Sequence, residues 1–469
     1  MKVATKKRKS GFYIEITCPG CGGGLELDDD FFVLECNHCG SVHRVVRPET
    51  PAAYLTPARV DRRQARFKID RYLKKRSLPL TGSGMHLKCL YYPYWKIDAI
   101  LFRVRNKVIE QVLVEGDQYQ SEVKVSKNRT EISLSPYTTT TAAGNCLDGV
   151  PVSLGMRTEY VKLLPYSTEN IDDDFDSLPV VTTWDDVRKD LLLNVSRIAE
   201  IDAGSSGPNQ TKLFHPKAAL VYFPFLIFES YHGGDFNRYV VDGVSGRMLG
   251  HVTEMSDESR GQKGDAALLE LGALTVEHHR CSNCGLDLPP EQSFIYICRN
   301  CHWLTVLGDT GNAVSEIFLA GEIARPGDRM CPFWSFQLPE DTAPRIKRMF
   351  KGIYDSDRLA IPAFKMANFE AMSNLSRRVS AAMPQMALSE LESLDNRFAA
   401  VSVSLDEALT LAEVIIYRQN FSGPTGIDSA DRPLQVKDIQ MVYVPFRREN
   451  YFMVDSNLNA ITFAKTLAP

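Results

Sequence analysis

Cys18-Pro-Gly-Cys21 is followed by Cys36-Asn-His-Cys39, and much later Cys281-Ser-Asn-Cys284 is followed by Cys298-Arg-Asn-Cys301. The gap between the two pairs is 14 residues in the first quartet and 13 in the second. Such C-x2-C…C-x2-C spacing lets four thiolates surround one tetrahedral ion. Glycine follows the second cysteine of three pairs (Gly22, Gly40, Gly285), where a chain doubling back beneath an ion needs positive φ. The predicted ligands of two structural Zn2+ ions are therefore Cys18, Cys21, Cys36 and Cys39, then Cys281, Cys284, Cys298 and Cys301. A rubredoxin-like iron centre and a redox dithiol are the competing occupations. Four sulfur ligands leave no position for water or substrate, so the expected product is folding free energy, on the order of 10 kcal/mol per site.

At 469 residues the chain exceeds a single core, and two to four domains are expected. No window approaches the roughly 18–20 apolar residues of a membrane span. The longest candidate, Ala218–Phe228, is interrupted by Pro224. The basic start, Met1 to Ser10, lacks a following apolar stretch and is not a secretory signal. The cytoplasm is the expected compartment, and paired C-x2-C in a reducing compartment binds metal rather than forming disulfides. The formal charge of −4 falls to about −8 once each quartet holds a dication on four thiolates. Any surface for nucleic acid must then be local.

Along the chain, residues 1–10 read as a disordered basic tail and 11–50 as a first zinc ribbon, with strands at Phe12–Ile16, Phe31–Leu34 and Val42–Val46. Pro48 to Pro57 has linker composition, and Thr56-Pro57 predicts a helix start, running to about Arg76. That helix carries nine Lys or Arg between Arg59 and Arg76, against Asp61 and Asp70 alone. One reading is a phosphate- or acidic-lipid-binding face, with Lys6–Lys9 adding to it; the other is a solvated helix anchored by Ala65, Ile69, Tyr72 and Leu73. Strand character follows from Leu90 to Leu134, and prolines inside aromatic strands predict an edge or a bulge. Thr183-Trp-Asp-Asp opens a helix toward Ile201, and Ala203 to Pro208 breaks the chain. Residues 51–253 form the expected first α+β unit, 254–274 a linker, 275–312 a second ribbon, and 313–469 a second α+β unit with a helical insert at 389–420.

The landmarks repeat in order. Cys331-Pro-Phe-Trp334 answers Tyr92-Pro-Tyr-Trp95, and Leu359–Phe364 answers Val161–Tyr166, with a helix over Asn368–Ala382. Val442-Tyr-Val-Pro-Phe446 answers Val221-Tyr-Phe-Pro-Phe225, and Phe452–Asp455 answers Tyr239–Asp242. The fold class expected is α+β: two zinc ribbons, each heading a mainly antiparallel sheet unit with packed helices, in tandem duplication. This arrangement resembles a group of bacterial proteins named for a TFIIB-type zinc ribbon. In that group a ribbon precedes aromatic-Pro-aromatic strands and a terminal hairpin with G-x-x-G-x-x-x-G, which Gly243, Gly246 and Gly250 fit and Ser456–Ala460 does not. The resemblance covers most of residues 10–255 and implies no particular activity.

The remaining candidates are weaker. Asn170–Asp176 is acidic but does not match an EF-hand loop. Cys298-Arg-Asn-Cys301-His302 matches the c-type haem signature, although Cys281 and Cys284 account better for the same thiols. His38 lies inside a pair whose cysteines already fill four positions, His278 and His279 are expected to be exposed, and Cys89, Cys146 and Cys331 to be buried inert thiols. The Pro-aromatic strands line either a peptide groove or the core. No G-x-S-x-G, H-E-x-x-H or dinucleotide fingerprint occurs. The expectation is a non-catalytic zinc-binding adaptor working with other proteins in a complex. The alternatives are nucleic-acid binding through residues 1–76 and peripheral contact with acidic membrane through helix 56–76.

Overall fold

A computed structural model describes residues 12–27, 32–48, 50–76, 86–115, 121–155, 161–191, 210–232, 235–254, 256, 271–272, 274–308, 314, 316–321, 327–339, 357–366, 368–420 and 434–469. The basic tail with Lys6–Lys9, most of the expected linker at 254–274 and the break at Ala203–Pro208 lie outside the described residues. The fold is mixed α+β, rich in strands and poor in helices. It divides into two units, Met1–Asp30 with Arg47–Val276 and Phe31–Val46 with Glu277–Pro469.

In the first unit Gln210–His232 is the central strand. One edge pairs with His86–Glu115 over most of its length, and the other pairs first with Ala52–Leu55 in parallel and then with Asp235–Asp242. The stretch expected as a linker from Pro48 to Pro57 therefore contains a strand, Ala52–Leu55, fixed by a partner more than 160 residues away. Sheet pairing at that distance leaves no local trace in composition.

Pro224 lies at the seam where the parallel partner stops at Tyr222 and the antiparallel one begins at Phe225. Pro93 lies at a like seam on His86–Glu115, between the parallel pair Tyr91–Ser177 and the antiparallel pair Tyr94–Ala142. Proline has no N–H to offer, so a gap in the ladder costs nothing there. The prolines thus sit in central strands rather than at the expected edges. Their carbonyls still accept, from Gly243 N–H at Pro224 and from Ala143 N–H at Pro93, both at 2.9 Å. The carbonyl of Ala143, given no N–H by Pro93, takes those of Val181 and Thr182 at 2.8 and 3.1 Å. That contact sets Thr182 C=O to accept from Trp95 Nε1 at 2.8 Å, just before a helix that opens at 184.

The second unit contains the same set of bonds. Pro445 sits between the parallel pairs ending at Tyr443–Leu319 and the antiparallel pair Phe446–Asp455, and its carbonyl accepts Ser456 N–H. Pro332 accepts Ala363 N–H, Ala363 C=O takes Ser402 and Val403 N–H, and Val403 C=O accepts from Trp334 Nε1 at 2.8 Å. Successive side chains of these strands point to opposite faces, and both faces are covered. Trp334, Phe336 and Tyr443 pack against one core, Phe333, Val444 and Phe446 against another. The aromatics of the Pro-containing strands are therefore core, not the lining of a groove.

Besides the helix opening at 184, three described helices take part in this packing. Helix α1 (Arg62–Lys75) buries Ala65, Ile69 and Leu73 on the first sheet. It starts later than Thr56-Pro57, at a capping box in which Asp61 Oδ1 accepts Gln64 N–H (2.7 Å) and Gln64 Oε1 accepts Asp61 N–H (3.3 Å). Residues Thr56 to Val60 are drawn out of the helix because Arg59 and Val60 N–H both donate to Gly243 C=O. Helix α2 (Phe369–Ala382), capped by Asn368, has the expected bounds. Helix α3 (Leu405–Asn420) accounts for only part of the expected helical insert at 389–420, since Leu388–Glu390 is a strand.

Trp95→Phe and Trp334→Phe each leave one carbonyl, Thr182 or Val403, without its indole donor. Each is expected to cost about 1–3 kcal/mol, read as a lowered urea midpoint. Equal losses at the two positions check the shared role; an undisturbed midpoint contradicts it.

Candidate metal centres

All four cysteine pairs are held by one turn. The first cysteine N–H donates to the carbonyl five residues on: Cys18 to Gly23, Cys36 to Ser41, Cys281 to Leu286 and Cys298 to Trp303, at 2.8–2.9 Å. The residue after the second cysteine donates back to the first, from Gly22, Gly40, Gly285 and His302, each at 2.9 Å. That residue has positive φ, 74° at Gly22, 72° at Gly40, 74° at Gly285 and 57° at His302. Glycine adopts this conformation freely, whereas His302 adopts it with Nδ1 fixed 2.9 Å from Glu392 O. His302 thus closes the turn in the place that glycine takes in the other three.

The turn buries the first cysteine and leaves the second outermost. Cys18, Cys36, Cys281 and Cys298 are buried; Cys21, Cys39 and Cys284 are exposed, and Cys301 is half-buried. The sulfurs of Cys18, Cys21, Cys36 and Cys39 lie within 4.8 Å of one another, as do those of Cys281, Cys284, Cys298 and Cys301. In the second group Cys281 and Cys301 are 3.6 Å apart and Cys284 and Cys298 3.5 Å. Four sulfurs at about 2.3 Å from a tetrahedral zinc stand about 3.8 Å apart, close to the two separations in the second group. The two cysteine groups could each hold a metal, and zinc suits them.

The thiols differ before any ion binds. Burial pushes Cys281 up to about 11. The N–H of Leu286 and then the side chain of Asn300 bring Cys284 down to about 6. The Asn283 side chain and Trp303 N–H lower Cys301. Amide N–H groups also point at sulfur in the first group, from Gly20 to Cys18 and from His38 to Cys36, each at 3.4 Å.

Sequence reasoning missed a layer behind the ligands. Ser41 Oγ lies 2.9 Å from Cys39 Sγ and 2.7 Å from His43 Nε2. His43 is buried, and its pKa is lowered by desolvation and then by His278, whose ring centroid is 4.9 Å away. Ser41 and His43 stand two and four residues past Cys39, and that proximity was the one available signal.

The second unit has its own small core here. Val33, Cys281, Leu288, Tyr296 and Cys298 cluster with Phe32 and Leu307, and the rings of Phe32 and Phe294 stack at 3.9 Å. Gln292 bonds Val33 through both its amide nitrogen and its oxygen. His279 was expected to be exposed but is buried against Tyr296 (4.6 Å); burial lowers it to about 4.

The other candidates resolve as structure. Cys89 and Cys331 are buried, with Cys331 pushed up to about 12, whereas Cys146 is exposed, against expectation. Around the acidic loop, Asp174 pairs with Arg62 at 3.2 Å and Asp172 Oδ1 accepts Asp174 N–H. The described residues contain no cation-sized group of ligands there.

No protein-family model matches the chain, and no curated protein sequence or solved structure is significantly similar to it.

Cys298→Ser is expected to remove one of two bound metal equivalents, lower the thermal midpoint and change the emission of Trp303, whose carbonyl the Cys298 amide holds. Cys146→Ser, outside both groups, leaves both equivalents in place. Elemental analysis beside thermal melts checks the pair.

Proposed function

We propose that this chain is a non-catalytic, zinc-binding adaptor that docks other proteins in a larger assembly, built from two related ribbon-and-sheet bodies. The observation that carries the reading is Trp303. Its carbonyl accepts Cys298 N–H at 2.9 Å, pinning its backbone to a metal turn, while its side chain is 50% exposed. A large aromatic on a rigid support loses little entropy on binding, which is why Trp is enriched among binding hot spots. Four-sulfur groups leave an ion no open position, so their chemistry suits a scaffold better than a reaction.

The duplication is supported by the repeated bonds at Pro93 and Pro332, Pro224 and Pro445, and Trp95 and Trp334. In that reading Ala363 answers Ala143, so Leu359–Pro362 corresponds to the end of the strand Ser121–Ala142 rather than to Val161–Tyr166. Helix α3 then corresponds to the helix opening at 184, and α2 is the added element. The resemblance to bacterial proteins with a TFIIB-type ribbon, and a cytoplasmic setting, belong to the same proposal. Among the described residues no helix is long and apolar enough to cross a membrane.

Trp303→Ala in the full chain should weaken a stoichiometric partner's binding by about 30-fold or more, the effect of a hot spot of about 2 kcal/mol, with zinc content unchanged. Titration of the co-purified partner against both forms provides the measurement. Equal affinity for the two, or a native chain running alone at its endogenous concentration, overturns the reading.

A further inference from the structure

Helix α1 presents a second surface, independent of the adaptor reading. Its apolar stripe is spent internally: Ala65, Ile69 and Leu73 are at most 1% exposed. The outward side holds Arg63, Arg66, Lys68, Arg71 and Lys74, all exposed, around Phe67, which is 69% exposed. Some cations of the segment are engaged. Arg62 pairs with Asp174, Lys68 Nζ reaches Ser245 O at 3.4 Å, and Arg76 lies 4.3 Å above the Tyr72 ring. Among the described residues Arg59, Arg63, Arg66 and Arg71 meet no acidic side chain. Arg59, Val60, Arg63, Gln64, Phe67 and Lys68 line an open hollow of about 570 Å³.

We propose that this face binds single-stranded nucleic acid, with the arginines on phosphates and Phe67 as the platform on which a base stacks. Unpaired guanidinium groups match phosphate in charge and in their planar, two-pronged geometry. Arg63 and Arg71 lie one turn to either side of Phe67, so a base stacked on the ring has a cation on each flank. A net-acidic chain that gathers unpaired arginine on one helix creates a local attraction for polyanions. An acidic membrane fits less well. A helix lying in a lipid interface buries a broad apolar face, and α1 has given its own to the sheet, leaving one phenylalanine.

The test uses the full chain, fluorescein-labelled oligo(dT) and fluorescence anisotropy from about 50 to 200 mM salt. Native protein should bind with affinity falling steeply over that range. Replacing Arg63, Arg66 and Arg71 together by Gln should weaken binding at least 10-fold and make the log–log salt slope shallower by about 2, for three phosphate contacts on a single strand. Phe67→Ala should lose roughly 5- to 150-fold at an unchanged slope, the range of one lost base stack, and Phe67→Trp should retain affinity. These variants are exposed, and an unchanged melting temperature verifies their fold. No binding at the lowest salt, or binding that the triple variant leaves intact, overturns the proposal. So does full affinity in Phe67→Ala, or capture by phosphatidylserine vesicles without capture of oligo(dT).

Discussion

Sulfur on a folded-back turn is the constraint from which the rest follows. Each C-x2-C pair can face an ion only if the chain reverses within five residues, and the reversal needs a left-handed residue after the second cysteine. Gly22, Gly40 and Gly285 meet that need freely, and His302 meets it with a bond to Glu392 O. The same turn buries one thiol and exposes the other. Burial penalises the Cys281 thiolate, and amide donors favour that of Cys284. A dication held there would take both as thiolates. Only a small core around Val33, Tyr296 and Leu288 lies beneath this hairpin, so an ion bound there would add order that side-chain burial supplies little of.

The sheets depend on a missing atom. Proline withholds an N–H where one neighbouring strand ends and another begins, and the carbonyl across the gap is freed for a different use. In each unit that carbonyl, Ala143 or Ala363, gathers two amides and so fixes the acceptor for a buried tryptophan. One absence thereby links strand, loop, helix start and core. Replacing the proline would restore a donor that competes for the same carbonyl, which explains why the residue is tolerated in a central strand.

Much of this was legible in the residues, and the failures have physical causes. Cysteine spacing located both four-cysteine groups because such geometry is local and strict. The cap at Asn368 and the helix to Ala382 were readable for the same reason. The strand Ala52–Leu55 was not, because its partner is distant. The start of α1 was misplaced because tertiary bonds from Arg59 and Val60 to Gly243 outweigh a good local signal at Thr56-Pro57. Sequence also could not show that the stripe of α1 is consumed by the core while Phe67 stays outside. That division leaves the basic helix with a positive outer face and one exposed aromatic.

The two proposed surfaces lie on different supports, Trp303 on a cysteine turn and Phe67 on a helix anchored to a sheet. Both are aromatic side chains made costly by exposure and rigid by what lies beneath them. The proposal for Trp303 depends on the cysteine quartets being closed structural sites rather than reactive centres. X-ray absorption at the zinc edge on the native protein, with elemental counting, tests that dependence most directly. Two zinc equivalents per chain, each with four sulfurs at about 2.3 Å and no nitrogen or oxygen neighbour, is the predicted result. A mixed shell with oxygen or nitrogen, or fewer than two ions with the cysteines intact, would contradict it.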